Sequence, residues 1–184
     1  MRRLLALTIV LFALSHHAAS AQDTWHGVHF GEARDDVRTQ LAAQNIQLST
    51  TQDGTLQSNS DYELALPSLR HTIPMVLNFH FDDNARLIDV TLALDVVGMH
   101  RYWGVLGNDD ALFAFAAEHL TSAIASIYGV PLYRSDLCDA AAPQGGGFCL
   151  QTWRGNGQTV AIERSTGAHA QRFLIRYQPI ATDL

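Results

Sequence analysis

The stretch "IPMVLNFHFDDNARLIDVTLAL", residues 73–94, constrains the fold more than any other part of the chain. Two runs with apolar side chains at alternate positions flank Asp83-Asn84, residue types that favour a tight turn. A two-residue turn there pairs Asp82 with Ala85, Phe79 with Ile88, and Leu77 with Val90. That register gathers Met75, Leu77, Phe79 and Phe81 with Ile88, Val90 and Leu92 on one face. Asn78, His80 and Asp89 then point the other way, with His80 diagonally across from Asp89. Strands that are apolar on one side only call for an antiparallel sheet covered on that side.

Helical periodicity supplies the cover. After Gly31, "EARDDVRTQLAAQNIQL" puts Val37 and Leu41 on one face, with Glu32, Asp35 and Asp36 in the first turn, where the helix dipole favours acids. This predicts a helix over 32–44, closed by Asn45 in the left-handed region. "NDDALFAFAAEHLTSAIASIYG" predicts the longest helix, 109–128, with Asn108 or Asp109 as N-cap and Gly129 ending it. Further strands read from "IQL", "YELAL", "FCLQTW", "QTVAIE" and "RFLIRYQ". A turn at Asn156-Gly157 sets Trp153 opposite Val160 and Gln151 opposite Ile162. Each half, 22–98 and 108–184, thus reads as one helix followed by about three antiparallel strands. The expected fold is α+β: an antiparallel sheet with two principal helices on one face, built from a duplicated α-β-β-β unit in a single domain over 22–184.

The beginning of the chain indicates a compartment. Arg2 and Arg3 precede an apolar run, Leu4–Leu14, too short to span a bilayer, and Ala19-Ser20-Ala21 supplies small residues for a signal peptidase. Residues 1–21 are expected to be a signal peptide, and the mature chain periplasmic or secreted, without membrane insertion. The two cysteines, Cys138 and Cys149, are expected to form one structural disulfide in that oxidising setting. Closing a loop of about 12 residues contributes on the order of 3 kcal/mol. The enclosed "DAAAPQGGGF" reads as exposed and mobile. Beyond the leader, ten arginines stand against eighteen acids, a net charge near −8. That balance excludes nucleic acid and anionic membrane surfaces as natural partners.

Chemistry is thinly marked. His26 and His29, in "TWHGVHFGEARDD", could reach a metal with help from Asp35 or Asp36. Gly27 and Gly31 make a helix there unfavourable, and in a strand positions three apart face opposite sides, so the structural reading is preferred. His80 beside Asp89 could be an oriented base, or a cross-strand polar contact on the wet side of the sheet. Glu118-His119 read as the solvated side of their helix. Ser126, Ser135 and Ser165 lack a nucleophile motif, and no glycine loop follows a strand to hold phosphate, so neither catalytic residues nor a cofactor are assigned. "VVGMHRYWGVLG" reads as a glycine-punctuated connection between halves. Its Arg101, Tyr102 and Trp103 are residue types that anchor interfaces, or else fill the seam.

The spacing W-x-G-V-x-F-G-x-A-x-x-x-V-x-x-x-L over Trp25–Leu41 resembles the opening of small exported α+β domains of the β-lactamase-inhibitor-protein and SmpA/OmlA-like type. The resemblance implies a helix pair on an antiparallel sheet and a role in binding other proteins. This chain lacks the cysteine that would mark a lipid anchor, and no binding residue carries over. The expectation is an exported, non-catalytic protein-binding domain: an inhibitor, an immunity factor or an envelope accessory, whose partner is another exported or envelope protein. The rival expectation is a small metal-dependent or hydrolytic enzyme using His26, His29, His80 and nearby acids.

Overall fold

The computed structural model describes residues 23–59, 62–66, 68–103, 109–138, 147–155, 157–166 and 171–180. The expected leader, 1–21, lies outside the described residues, as do the loop 139–146 between the cysteines and the cap and turn residues Asn108 and Asn156.

A short hairpin of β1 (Asp23–Trp25) and β2 (Val28–His29) leads into α1 (Arg34–Ala42). There follow β3 (Leu48–Thr50), β4 (Leu56–Ser58), β5 (Tyr62–Leu64), β6 (Ile73–Phe81), β7 (Leu87–Leu94), α2 (Val96–Trp103) and α3 (Asp109–Tyr128). The chain ends with β8 (Tyr133–Arg134), a 3-10 turn at Asp136–Cys138, β9 (Gly147–Arg154), β10 (Gln158–Thr166) and β11 (Gln171–Pro179). Nine strands form one antiparallel sheet in the order β3-β4-β6-β7-β11-β10-β9-β8, with β5 pairing on β6 beside β4. The class is α+β, as expected. Each half supplies more strands than the three foreseen, and the halves meet where β7 pairs with β11, the last strand of each. This strand order does not establish the expected duplication.

Helix α1 begins later than its acids suggest, because residues 31–34 are paired elsewhere. The Gly31 amide donates to the Leu87 carbonyl at 2.8 Å, Leu87 to Glu32 at 2.9 Å, and Arg34 to Ala85 at 3.1 Å. Asp35 and Asp36 still sit in the first turn of a helix whose N-cap, Ala33, offers no side-chain bond. Asn45 ends it at φ +64°, and the Ile46 amide reaches back to the Leu41 carbonyl at 2.9 Å. Gly129 ends α3 in the same left-handed way, at φ +78°. There the Trp153 indole donates to its carbonyl at 2.9 Å, tying the helix end to β9.

The first hairpin corrects the expected register by two residues: Phe79 pairs with Val90 and Leu77 with Leu92. Its loop holds three residues rather than two. The Asp82 carboxylate accepts the amides of Asn84 and Arg86, at 2.9 and 2.7 Å, and Ala85 takes φ +56°. A bulge then falls between Phe81↔Leu87 and His80↔Asp89. Ile88, expected inside, is 45% exposed, and Leu87 is buried in its place at 1%. The pairing of residues 31–34 with Ala85 and Leu87 accounts for this, since it fixes the orientation of Leu87 before the alternation of β7 begins. The second hairpin has the expected register, Trp153↔Val160 and Gln151↔Ile162.

All three helices cover the same side of the sheet through one core. Val37 and Leu41 of α1, Met99 of α2, and Phe113, Ala116, Leu120 and Ile124 of α3 pack in one cluster with Leu77, Phe79, Val90, Trp153, Ile162 and Phe173. By length and composition α3 could cross a membrane, with mean hydropathy 1.3. Here its Phe113–Ile124 stripe is seated on the sheet. Cys138 and Cys149 are disulfide-bonded, with Cα atoms 4.6 Å apart, and this staples the 3-10 turn to β9. Such a bond suits an oxidising compartment.

Candidate interaction surface at α2 and α3

The expected connection between halves is a helix. Within α2, Gly98 and Met99 are buried, the Met99 amide donates to the Asp95 carbonyl at 3.0 Å, and His100 and Arg101 occupy the last turn, where cations suit the dipole. A glycine costs a helix roughly 1 kcal/mol relative to alanine, and the docking of Met99 into the core offsets it. His100 bonds the carboxylate of Asp109, joining the end of α2 to the start of α3.

Trp103 is fixed at this junction by its indole N–H, which donates to the Thr72 carbonyl at 2.9 Å. Its ring meets Phe115 edge-on at 5.7 Å and His71 at 5.9 Å, and Phe115 in turn lies 4.3 Å from His119. Four rings from three separate segments therefore form a row. Its flanks are open: Tyr102 is 43% exposed, Phe115 41% and Val97 69%. The outer face of α3 continues this character. Between Asp110 and Tyr128 the only formal charge is Glu118, while Ala111, Ala114, Ser122 and Ile127 are exposed. Arg101 is exposed on α2. The sequence alone missed His71, Phe115 and His119. The i, i+4 spacing of Phe115 and His119 on α3 was the available signal.

The sheet face away from the helices is polar. His80 stands directly across from Asp89, not diagonally, because of the register shift. Its Nδ1 lies 3.2 Å from the Thr55 hydroxyl and its Nε2 3.4 Å from the Thr91 hydroxyl. Asp89 is only 8% exposed. Arg176 Nη1 approaches one of its oxygens at 3.4 Å and the Gln178 amide donates to it at 3.5 Å, while the other oxygen has no partner among the described residues. Burial raises the Asp89 pKa above the ordinary carboxylate value, and the Arg176 charge only partly opposes that. Arg176 Nε is 3.1 Å from Glu163, close enough for an ion pair but not aligned for a hydrogen bond. Beside His80 a shallow depression of about 410 Å³ is lined by Thr51, Asp53, Gln57 and Asn78 among others. Asp53 there is held below its ordinary pKa by the Thr51 hydroxyl and the Thr55 amide.

The candidate histidines do not share a place. His26, at φ +50°, bonds the Tyr62 hydroxyl at 2.8 Å and meets the Trp25 ring edge-on, and that ring leans on core Phe79. His29 pairs with Asp23 in the β1–β2 ladder. His80 belongs to the opposite face of the strand that carries Phe79. Among the described residues, no three His, Cys, Asp or Glu side chains come together as a metal would require.

No family model, curated protein or solved structure matches this chain.

Proposed function

We propose that this chain is an exported protein-binding domain, and that it engages its partner through the α2–α3 surface. The observation that carries the reading is a 20-residue helix whose outer face, beyond Asp109 and Asp110 in its first turn, holds one formal charge, Glu118, and abuts the half-exposed Tyr102 and Phe115 rings. Solvated helix faces ordinarily carry charged residues, and aromatic side chains beside small ones are what interface centres use. Export is supported by the N-terminal pattern Arg2-Arg3, Leu4–Leu14 and Ala19–Ala21, and by the disulfide. The partner is then another exported or envelope protein, and the role that of an inhibitor, immunity factor or assembly accessory, as the Trp25–Leu41 resemblance implies. A mature chain of ten arginines against eighteen acids, net charge near −8, favours a partner whose apolar patch has a basic rim, with association that slows as salt rises.

The test is capture from an envelope extract by immobilised protein beginning at Gln22. Wild type and an Ile88→Glu control, altered at an exposed position on β7 outside the two helices, should retain one partner that Tyr102→Ala and Val97→Glu lose. Equal retention by all four would overturn the assignment of the surface. A zinc titration separates the rival reading: stoichiometric, submicromolar binding lost in His26→Ala and His29→Ala would favour a metal-dependent enzyme. Intact-mass analysis of the secreted form should show cleavage after Ala21; retention of residues 1–21 would sink the exported form as written.

A further inference from the structure

A second cavity lies on the helix side of the sheet, between α3 and the strands β8, β9 and β10, with a volume of about 380 Å³. Its walls carry opposite charges: Glu118 from α3, and Arg164 from β10 with Arg134 at β8. The Glu118 and Arg164 side chains line the same space, yet they do not pair with each other, and neither side chain has an ion pair or hydrogen bond to another described residue. The two neighbouring surfaces between them are apolar, from Ala117 and Ile162.

Gln151 supplies an independent sign that the space is meant to be filled. It is 9% exposed, lines the cavity, and among the described residues its amide donates only to the Cys149 sulfur, at 3.7 Å. Sulfur is a weak acceptor, so among the described residues this buried amide is only weakly satisfied. The Cys138–Cys149 disulfide lines the same cavity and holds its β9 wall against the 3-10 turn.

We infer that this cavity binds a small zwitterion, a free α-amino acid with an aliphatic side chain. The Arg164 guanidinium takes the carboxylate, for which its planar fork is suited, and Glu118 takes the ammonium. Gln151 donates to the carboxylate in place of the sulfur, and the side chain lies on Ala117 and Ile162. A ligand with only one charge would leave one wall unanswered. A ligand with both, separated by a single carbon, answers each without drawing Glu118 and Arg164 together. Glu118 also lies on the α3 face of the protein-binding reading, but Gln151 and Arg164 do not, so leucine binding and partner capture fail separately.

The test is calorimetry, with amide chemical shifts of the mature protein, using L-leucine, N-acetyl-L-leucine and L-leucinamide. L-leucine should bind saturably, with shifts at Gln151 and Arg164, and each blocked analogue should bind about tenfold more weakly or worse. Arg164→Gln should weaken leucine by about tenfold and abolish its advantage over leucinamide. Glu118→Gln, at an exposed position where folding is safe, should abolish the advantage over N-acetyl-leucine. No saturable binding would overturn the inference, as would equal binding of leucine and N-acetyl-leucine, or indifference to both substitutions.

Discussion

Asp89 makes a sharp test of how the polar face is held together. Its carboxyl is buried, and the desolvation that raises its pKa outweighs the attraction of Arg176. The folded chain therefore binds this proton more tightly than the unfolded chain does. Below the ordinary value of 3.8 both states are protonated and the group is neutral in its effect. As pH rises from there through the raised folded value, the unfolded state releases its proton first, and stability falls. At neutral pH the charged carboxylate is thus a net cost that the Asp89–Arg176 pair only partly relieves. Asp89→Asn should leave stability unchanged or raise it by up to about 1 kcal/mol at neutral pH, with the gain vanishing in acid. Arg176→Met should do the reverse, since it leaves Asp89 and Glu163 without their cation. Losing one member of a buried pair costs about 3–5 kcal/mol. The Arg176 side chain is 31% exposed, so water screens it and about 2 kcal/mol is the better expectation. Adding Asp89→Asn to Arg176→Met should recover much of that loss. Urea unfolding followed by tryptophan fluorescence, at neutral pH and near pH 4, measures all four proteins. If Asp89→Asn cost more than about 2 kcal/mol at neutral pH, the ordering of desolvation over attraction would be wrong.

Removing the staple with Cys138→Ala and Cys149→Ala should lower unfolding free energy by about 3 kcal/mol, read from the shift in urea midpoint; a shift of near zero would mean the loop is constrained without it. Lysine scanning tests the bulge: Leu87→Lys should unfold the chain or cost several kcal/mol, while Ile88→Lys should cost under about 0.5 kcal/mol. The reverse order, in thermal melts of the two variants, would restore the register read from sequence. Breaking the fixed ring with Trp103→Leu should cost about 2 kcal/mol, because an aromatic volume and a hydrogen bond to Thr72 are lost together.

How far sequence reaches is clearest in the two hairpins. At β9–β10 the pattern and the Asn156-Gly157 turn agree, and Trp153 falls opposite Val160 as expected. The Ile180 amide that reaches the Gly157 carbonyl there, at 3.2 Å, leaves the register unchanged. At β6–β7 the same reasoning misplaces Ile88, because two distant influences act on the turn. The Asp82 side chain converts it to a three-residue loop, and residues 31–34 pair with Ala85 and Leu87 from some fifty positions away. Alternation identifies which strands are half-buried but cannot detect a bulge imposed by another segment. Helix ends were readable for a related reason: Asn45 and Gly129 carry their left-handed geometry in their own residue types.

The candidate surface was legible only in part. Arg101, Tyr102 and Trp103 stand out as a string, but α2 around them is eight residues long, opens with two valines and contains Gly98. Intrinsic propensity argues against such a helix, which exists because Met99 docks in the core. The rings that give Trp103 its setting come from His71 before it and from α3 after it, an arrangement that no local pattern contains. The same contrast separates the two faces as partners. On the helix-free side His80 is bracketed by two hydroxyls and Arg176 stands between two carboxylates, so its polar groups largely answer one another. On the helix side Val97, Tyr102 and Phe115 remain open to water. Association gains most by covering apolar surface, and gains little by exchanging bonds that a chain already makes to itself. That asymmetry, more than any single residue type, is why we propose α2 and α3 as the docking surface.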